Sequence, residues 1–188
     1  MSSRLCIEPI GEEQQLLEQV SDEDRALVAT FASNKRRREA LAWRAALYRM
    51  LGSIVRTTYD KHGAPIIEGS SLHLGVSHSR THIAIITSEK ECAVDIESLD
   101  RDFSKAFVRY LTPSERTLSD DARYPAVAWC AKEALYKLHR QGVTDIASDL
   151  TLLEADLMRG IVRGSVCGSE PIDIHIEELE GHIVASIG

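Results

Sequence analysis

The order of predicted elements occurs twice along the chain, and this repetition constrains the fold more than any other sequence feature. Residues 46–49 (ALYR) match residues 134–137 (ALYK) at an offset of 88, and residues 82–88 (HIAIITS) match residues 182–188 (HIVASIG) at an offset of 100. Each half closes with a strand pair that follows a helix. Short matches arise by chance, but with the shared element order they favour two similar halves.

We therefore predict an α+β fold in which each half is a small antiparallel sheet packed with helices, and the halves form a pseudo-dimer. The first half would be residues 1–88 and the second half residues 89–188. A single α+β domain without symmetry is the alternative.

The two halves also differ in charge. The chain has a formal net charge of −7, but residues 1–88 sum to +1 and residues 89–188 to −8. Residues 35–49 contain six Lys and Arg side chains and the single acid Glu39. This asymmetry favours an anion-binding first half and a second half with a cation or carboxylate site. A solvated basic helix face is the alternative.

Composition excludes several classes of protein. With 188 residues, 44% hydrophobic and 27% charged, the chain can bury a core and is not disordered. No apolar run is long enough for a transmembrane helix, and residues 1–15 lack the pattern of a secretory signal. The four cysteines include no CxxC pair, which argues against a zinc ribbon or a disulfide framework. We expect a cytoplasmic protein with reduced thiols.

Capping signals and apolar periodicity predict the individual elements. Ser21 with Asp24 forms a capping box, and a longer helix begins at Ser33 or Asn34 and ends at Gly52. Further helices are predicted at 103–110 and 125–139, the second ended by Gly142, with another capping box at 112–115. Strands are predicted at 4–8, 53–59, 72–77, 82–88, 92–97, 149–155, 160–166, 171–178 and 182–188.

Asp95 and Glu97 share one face of a predicted strand. Side chains two positions apart point the same way, so Val94 and Ile96 lie on the opposite face and can pack inward. Neighbouring carboxylates repel each other and need a proton or a cation between them. Because Mg²⁺ prefers oxygen ligands, the pair is a candidate magnesium site. Two solvated acids on an edge strand are the alternative.

The segment 128–137 (AWCAKEALYK) predicts a helix with Trp129, Glu133 and Lys137 on one side, four residues apart. A Glu–Lys pair at this spacing is also a common surface ion pair. Trp129 would normally face a core, which draws the two charged residues toward the interior or a cleft. Charged groups in such a place need a partner such as a metal ion or a phosphate.

Ser77 and His78 end a predicted strand. Backbone amides at a strand-to-turn break, with hydroxyl and imidazole groups nearby, can bind a phosphate. A Ser–His–Asp triad is disfavoured, because adjacent strand residues point to opposite faces and the sequence has no G-x-S-x-G elbow. A turn rich in polar residues is the alternative.

In chain order these segments resemble a known family. HGAP (62–65), VSHS (76–79), AVDIE (93–97) and WCAKEALYK (129–137) follow one another as in the 4′-phosphopantetheinyl transferase superfamily. Asp95 and Glu133, the acids of the last two motifs, are 38 residues apart. The length and the two halves resemble the longer, pseudo-dimeric type that activates peptide synthetases, rather than the short trimeric type.

The resemblance implies a reaction. These enzymes transfer 4′-phosphopantetheine from coenzyme A to a serine hydroxyl of an acyl or peptidyl carrier protein and release adenosine 3′,5′-bisphosphate. Asp95, Glu97 and Glu133 would bind Mg²⁺, which holds the coenzyme's pyrophosphate. Glu133 would also deprotonate the serine, directly or through a metal-bound water. Lys132 and Lys137 would contact the reacting phosphates.

The resemblance also implies that residues 89–188 carry the metal-binding carboxylates and the catalytic helix, while residues 1–88 contact the phosphates and adenine of coenzyme A. The contacting side chains come from the strand end, a loop and the basic helix. They are Ser77 and His78 at the phosphates, His62 and Gly63 against the adenine, and Lys35 at the 3′-phosphate, with Arg38 or Arg44 as further candidates. The 88-residue offset aligns Glu133 with Ala45, so one site between the halves is expected.

Two positions depart from the family pattern. Ala64 stands where the family often has a lysine, which removes one cation from the coenzyme site. Lys61 or the cluster at 35–38 could compensate. Cys130 stands where serine or threonine is common and keeps a small side chain.

Other functions remain as alternatives. One is a coenzyme A or nucleotide-binding module without transfer activity, and another is a Mg²⁺-dependent phosphohydrolase. A nucleic-acid-binding domain on residues 35–49 is disfavoured by the net charge of −7 and the lack of interleaved aromatic residues. We expect a monomer with no nucleic-acid or membrane partner. Fatty-acid, polyketide and non-ribosomal peptide pathways all stay open. Phe103, Phe107 and Tyr110 are candidates for a carrier-binding surface or for the core.

Overall fold

A computed structural model describes residues 3–139 and 142–188 of the chain. In this part the chain forms ten strands and six α helices, with one 3₁₀ turn at Glu115–Thr117. In order these are β1 (Arg4–Pro9), α1 (Glu13–Leu17), α2 (Asp22–Ala29), α3 (Asn34–Leu51), β2 (Thr57–Tyr59), β3 (Pro65–Ile67), β4 (His73–His78), β5 (His82–Ser88), β6 (Ala93–Ser98), α4 (Ser104–Tyr110), α5 (Tyr124–Leu138), α6 (Ile146–Asp149), β7 (Leu150–Asp156), β8 (Ile161–Val166), β9 (Ile172–Leu179) and β10 (His182–Ile187).

The strands form antiparallel sheets, which confirms the predicted α+β class. One sheet has the order β1-β5-β4, a second has the order β6-β10-β9-β8-β7, and β2 pairs with β3. Helix α3 packs against the three-stranded sheet and α5 against the five-stranded one. Each half therefore joins one long helix to one main sheet. Whether 1–88 and 89–188 are separate domains stays a prediction.

Local signals account for the first helices. The Ser21 hydroxyl accepts a hydrogen bond from Asp24 N at 3.1 Å, and Ser33 accepts one from Arg36 N at 3.4 Å. Helix α3 ends at Gly52, whose φ of 72° is unfavourable for residues with a side chain. Apolar residues spaced along α3 then fill the first core, among them Leu41, Ala45, Leu47 and Tyr48.

The two main sheets meet where β4 lies against β6. A small cluster of buried residues fills the junction: Ala84, Ile86, Val94, Ile96 and Val184. Gly75 permits the approach, because a Cβ there would lie 2.8 Å from Ile86 Cγ2 and 3.2 Å from Ala93 Cα. The inward packing predicted for Val94 and Ile96 is confirmed, and the other face of β6 is turned toward α5.

Two predicted elements differ from the structure. The strand expected over 53–59 is only Thr57–Tyr59, because its partner β3 is three residues long. The capping box at 112–115 forms, with Glu115 Oε2 accepting from Thr112 N at 2.7 Å, but only a 3₁₀ turn follows. The Glu115 carboxylate also accepts hydrogen bonds from Leu152 N and Lys132 Nζ, which fixes this segment against the core. Helix α5 ends at Leu138, and residues 140–141, beside its expected end at Gly142, lie outside the described part.

The described helices include none that is both long enough and apolar enough to cross a membrane.

Candidate functional site

The candidate site lies where the end of β4, strand β6 and helix α5 meet. Asp95 on β6 is 5% exposed, and its Oδ1 accepts hydrogen bonds from Ser77 Oγ at 2.8 Å and Lys137 Nζ at 2.7 Å. Its other oxygen, Oδ2, is buried and has no hydrogen-bond partner among the described residues. A buried acceptor of this kind is available to a ligand.

Trp129, Glu133 and Lys137 form a stripe along α5, and helix α5 packs against β6. At one end Trp129 Nε1 donates to Glu97 Oε1 at 2.7 Å, and at the other Lys137 Nζ donates to Ser77 Oγ at 2.8 Å as well as to Asp95. We call this junction of β6 and α5, which holds Ser77, Asp95, Glu97, Glu133 and Lys137, the cleft, and its side chains do not form a solvated surface pair. The structure brings together five of the predicted site residues: Ser77, Asp95, Glu97, Glu133 and Lys137.

Glu133 lies between these two ends of the stripe and is partly buried. Burial raises the pKa of the Glu133 carboxyl, and the negative charges of Asp95 and Glu97 raise it further, while Lys137 and Arg101 oppose this. The three carboxylates are thus close enough to repel one another. A cation among them would relieve that repulsion.

The donor set suits a magnesium ion in chemistry, because all its atoms are carboxylate oxygens and Asp95 Oδ2 lacks a partner. Within residues 3–139 and 142–188, however, no three His, Cys, Asp or Glu side chains are grouped closely enough to hold one metal ion. Lys137 engages Asp95 Oδ1, and Trp129 and Arg101 engage Glu97 Oε1. The predicted metal ligands stay a prediction, and a shared ion would require these side chains to move closer together.

Cavities lie at both ends of the α5 stripe. Two of them, of about 770 Å³ and 390 Å³, are lined by Lys137 and by the β2–β3 loop, and the smaller also by His62. The loop is shaped by Asp60 Oδ1, which accepts from His62 N at 2.8 Å, and by Gly63, whose φ is 80°. The cavity at the other end, of about 660 Å³, is lined by Glu97 and Arg101 together with the turns before β5 and β10.

A second polar cluster lies on the other side of β4. Adjacent strand residues point to opposite faces, so His78 turns away from Ser77 and toward α3. His78 Nδ1 lies 3.3 Å from Glu39 Oε1, and Lys35 Nζ lies 3.5 Å from the same oxygen. Two of the predicted coenzyme contacts, Lys35 and His78, are therefore neighbours.

Comparison with known families covers the second half of the chain. The model of the 4′-phosphopantetheinyl transferase superfamily matches residues 91–186, just over half of the 188 residues. The chain belongs to this superfamily. The match contains β6 and α5, and so every predicted metal ligand, and it confirms the resemblance found in the sequence. The longer, pseudo-dimeric subtype stays a prediction.

No curated protein matches the chain. Among solved structures, it is similar to a crystal structure of a holo-(acyl-carrier-protein) synthase from Bacillus anthracis in complex with CoA (3′,5′-ADP). The two are 17% identical, with a TM-score of 0.37, and the similarity covers 45% of this chain and 91% of the other.

Lys132 does not lie where the family resemblance implied. It is fully buried on the core side of α5, 2.9 Å from Glu115 Oε1, and donates to backbone carbonyls of Tyr110, Ile146 and Ala147. Lys132 is one residue from Glu133 and so about 100° around the helix from it. The predicted contact with a reacting phosphate is therefore wrong for this structure, and Lys132 belongs to the core.

Arg44 does not lie where a contact with the 3′-phosphate was predicted. It is 0% exposed, donates to Asp24 Oδ1 at 2.9 Å and stacks over the Trp43 ring at 4.0 Å. A buried, paired guanidinium cannot contact a phosphate at the surface. Arg38 is partly exposed and donates to the carbonyls of Gly11 and Ile10, so its phosphate contact stays a prediction.

The candidate carrier surface after Asp102 is mostly core. Phe103 is buried and Phe107 packs against the same cluster. Tyr110 packs against Trp129 with the ring centroids 4.2 Å apart, and so supports the indole that binds Glu97. Cys130 is fully buried on this helix.

Sequence reasoning missed two residues of the site region. Arg101 pairs with Glu97 at i, i+4 and lies over the Trp129 ring at 5.4 Å. Glu39 is the acid between Lys35 and His78. The i, i+4 spacing of each acid and base was visible in the sequence, but the position of Glu39 beside β4 was not.

Proposed function

We propose that this protein transfers 4′-phosphopantetheine from coenzyme A to a serine hydroxyl of an acyl or peptidyl carrier protein and releases adenosine 3′,5′-bisphosphate. One observation supports the proposal: in a member of this superfamily, Asp95, Glu97, Glu133 and Lys137 lie within electrostatic range of one another between β6 and α5. A module that only binds coenzyme A has no need of three acids in such mutual contact.

The reaction requires alignment and charge neutralisation more than covalent chemistry by the protein. The serine oxygen forms a bond to the β-phosphorus of coenzyme A, and the bond from that phosphorus to the bridging oxygen breaks. The electron pair leaves with adenosine 3′,5′-bisphosphate. Mg²⁺ held by oxygens of Asp95, Glu97 and Glu133 would neutralise charge on the pyrophosphate.

We assign the proton of the serine to Glu133. Its carboxylate lies between Trp129 and Lys137 on α5, beside the place where the pyrophosphate would bind. Lys137, already paired with Asp95, would turn its ammonium to the developing negative charge on the phosphate. Trp129 and Arg101 hold the Glu97 carboxylate in orientation.

The remaining contacts are proposed for the first half of the chain. The His62–Gly63 loop beside the 390 Å³ cavity would lie against the adenine. Ser77 and His78 would contact the phosphates, and Lys35, with Arg38, the 3′-phosphate. Since one site between the two halves suffices, we propose a cytoplasmic monomer of the longer subtype, with coenzyme A and a carrier protein as partners and no nucleic acid or membrane.

Intact-protein mass spectrometry tests the proposal. A panel of apo acyl and peptidyl carrier proteins is incubated with this protein, coenzyme A and Mg²⁺, with an EDTA control. The expected result is a gain of one phosphopantetheine on at least one carrier, lost in EDTA. Cleavage of coenzyme A without any acceptor would instead favour a phosphohydrolase, and binding without turnover a coenzyme-binding module.

The panel also ranks the carriers, because fatty-acid, polyketide and peptide-synthetase carriers are included side by side. Preference for peptidyl carriers would support the proposed subtype. A strict preference for the fatty-acid carrier would contradict it while leaving the transfer reaction in place.

A further inference from the structure

Glu39 is a buried acid that the proposed reaction does not use. It lies within α3, is 8% exposed, and its Oε1 is buried without a hydrogen bond among the described residues. Lys35 Nζ at 3.5 Å and His78 Nδ1 at 3.3 Å are close to that oxygen, but neither is aligned as a hydrogen bond. An unsatisfied buried carboxylate is costly, so its presence needs a reason.

Burial separates Glu39 from an ordinary surface ion pair. Its side chain is 10% exposed, whereas the side chain of Lys35 is 65% exposed and that of His78 is 45% exposed. Exposed pairs hold each other loosely in water. Here one buried charge attracts two exposed groups, so the carboxylate cannot touch an arriving ligand, while both of its neighbours can.

The position of Glu39 links two elements of the proposed coenzyme site. Lys35 is one turn earlier on α3, and His78 is the last residue of β4. Ser77, which precedes His78, donates a hydrogen bond to Asp95 Oδ1 at 2.8 Å. The carboxylate therefore fixes Lys35 and His78 relative to each other and to the carboxylates of β6.

Resting on the proposed function, we propose that Glu39 is a positioning residue for the 3′-phosphate of coenzyme A. It acts through Lys35 and His78, whose nitrogen atoms it draws together before the ligand arrives. Ordering a long lysine side chain in advance reduces the entropy lost on binding. Glu39 thereby sets the preference for coenzyme A over 3′-dephospho-coenzyme A.

The test compares two ligands by calorimetry on the full chain. Glu39→Gln keeps the size of the side chain and removes its charge. We expect it to weaken binding of coenzyme A by roughly tenfold, the effect of one weakened charged contact, and to change binding of the 3′-dephospho form by less than about twofold. Glu23→Gln is the matched control, because Glu23 is an exposed acid of α2 that faces Arg56, and the proposal places neither residue at the coenzyme.

Three results would overturn the proposal. Equal losses for both ligands would make Glu39 a structural residue only. Unchanged binding of both would leave it no role at the 3′-phosphate. Tighter binding of coenzyme A by Glu39→Gln would mean that the carboxylate repels the phosphate rather than arranging its partners.

A second set of variants tests whether Glu39 acts through Lys35 and His78. In a Lys35→Ala/His78→Ala background, Glu39→Gln should change the affinity for coenzyme A by less than about twofold, because the residues it acts through are gone. An undiminished effect there would refute positioning. Glu39→Asp shortens the side chain by one methylene and so moves the charge away from Lys35 and His78. It should give a preference for coenzyme A between those of wild type and Glu39→Gln. A wild-type preference would count against the proposal.

The outcomes also separate this inference from the proposed function. If the protein modifies carriers but Glu39→Gln keeps the wild-type ligand preference, only the role of Glu39 fails. If the wild-type chain binds neither ligand and modifies no carrier, the proposed function fails and the role of Glu39 fails with it.

Discussion

Single residues in this protein differ in role even when they are neighbours in sequence. Lys132 and Glu133 are adjacent on α5, yet Lys132 is 0% exposed in the core while Glu133 lies in the cleft with Asp95 and Glu97. The helix geometry, which turns successive side chains by about 100°, separates them. Substitutions at the two positions should therefore have different consequences.

Glu133→Gln should abolish most of the transfer activity and leave the fold intact. Removal of a general base costs about 10²- to 10⁴-fold in rate, and Gln occupies the same volume. The measurement is the initial rate of carrier modification, with Glu177→Gln, an exposed acid of β9, as control. A variant that keeps more than roughly a tenth of the rate would remove Glu133 as base.

Lys132→Met should instead reduce stability. The change leaves the buried carboxylate of Glu115 without its ammonium partner, which costs about 3–5 kcal/mol. We expect a lower midpoint of urea unfolding. In the folded fraction, kcat should stay within about threefold, because Lys132 contacts no residue of the cleft. A loss of kcat without loss of stability would restore a catalytic role.

At the scale of elements, the site depends on how closely β4 approaches β6. Gly75 permits that approach, and Ser77, two residues later, reaches Asp95 because of it. The elements themselves are predictable from local signals. The alternation of Val94 and Ile96 with the acids of β6, and the four-residue spacing on α5, predicted both faces of the cleft.

Gly75→Ala should separate the two sheets slightly. Its Cβ would lie 3.2 Å from Ala93 Cα on β6 and 2.8 Å from Ile86 Cγ2 on β5, and overpacking of this kind costs about 1–3 kcal/mol. We expect a lower thermal midpoint together with weaker transfer activity. Gly11→Ala, whose Cβ would meet nothing nearer than 3.6 Å, is the control. Wild-type stability in Gly75→Ala would show that β4 and β6 adjust without cost.

What the sequence could not predict depends on contacts between distant segments. Arg44 was expected at a phosphate, but its partner Asp24 lies 20 residues earlier on another helix. Glu39 meets His78 only because β4 ends beside α3. Local periodicity assigns a residue to a face of its own helix or strand, and it does not say which other element covers that face.

For the whole molecule, the carboxylate cleft should link metal binding to stability. A ligand that binds only the folded state adds about 2.7 kcal/mol at a concentration 100 times its Kd. We expect Mg²⁺ to raise the thermal midpoint of the wild-type chain and to have much less effect on Asp95→Asn. Glu154→Gln, an exposed acid of β7, should respond like wild type. An equal response of Asp95→Asn would exclude Asp95 as a ligand.

Cavities lie at both ends of the α5 stripe, so ligands can approach the site region from two sides. If the nucleotide enters beside Lys137, the acceptor serine can approach from the side of Glu97 without waiting for the nucleotide to leave. Such a layout predicts a ternary complex in steady-state kinetics. Adenosine 3′,5′-bisphosphate should then compete with coenzyme A and act as a non-competitive inhibitor toward the carrier. The positions of the cavities thus determine the kinetic mechanism.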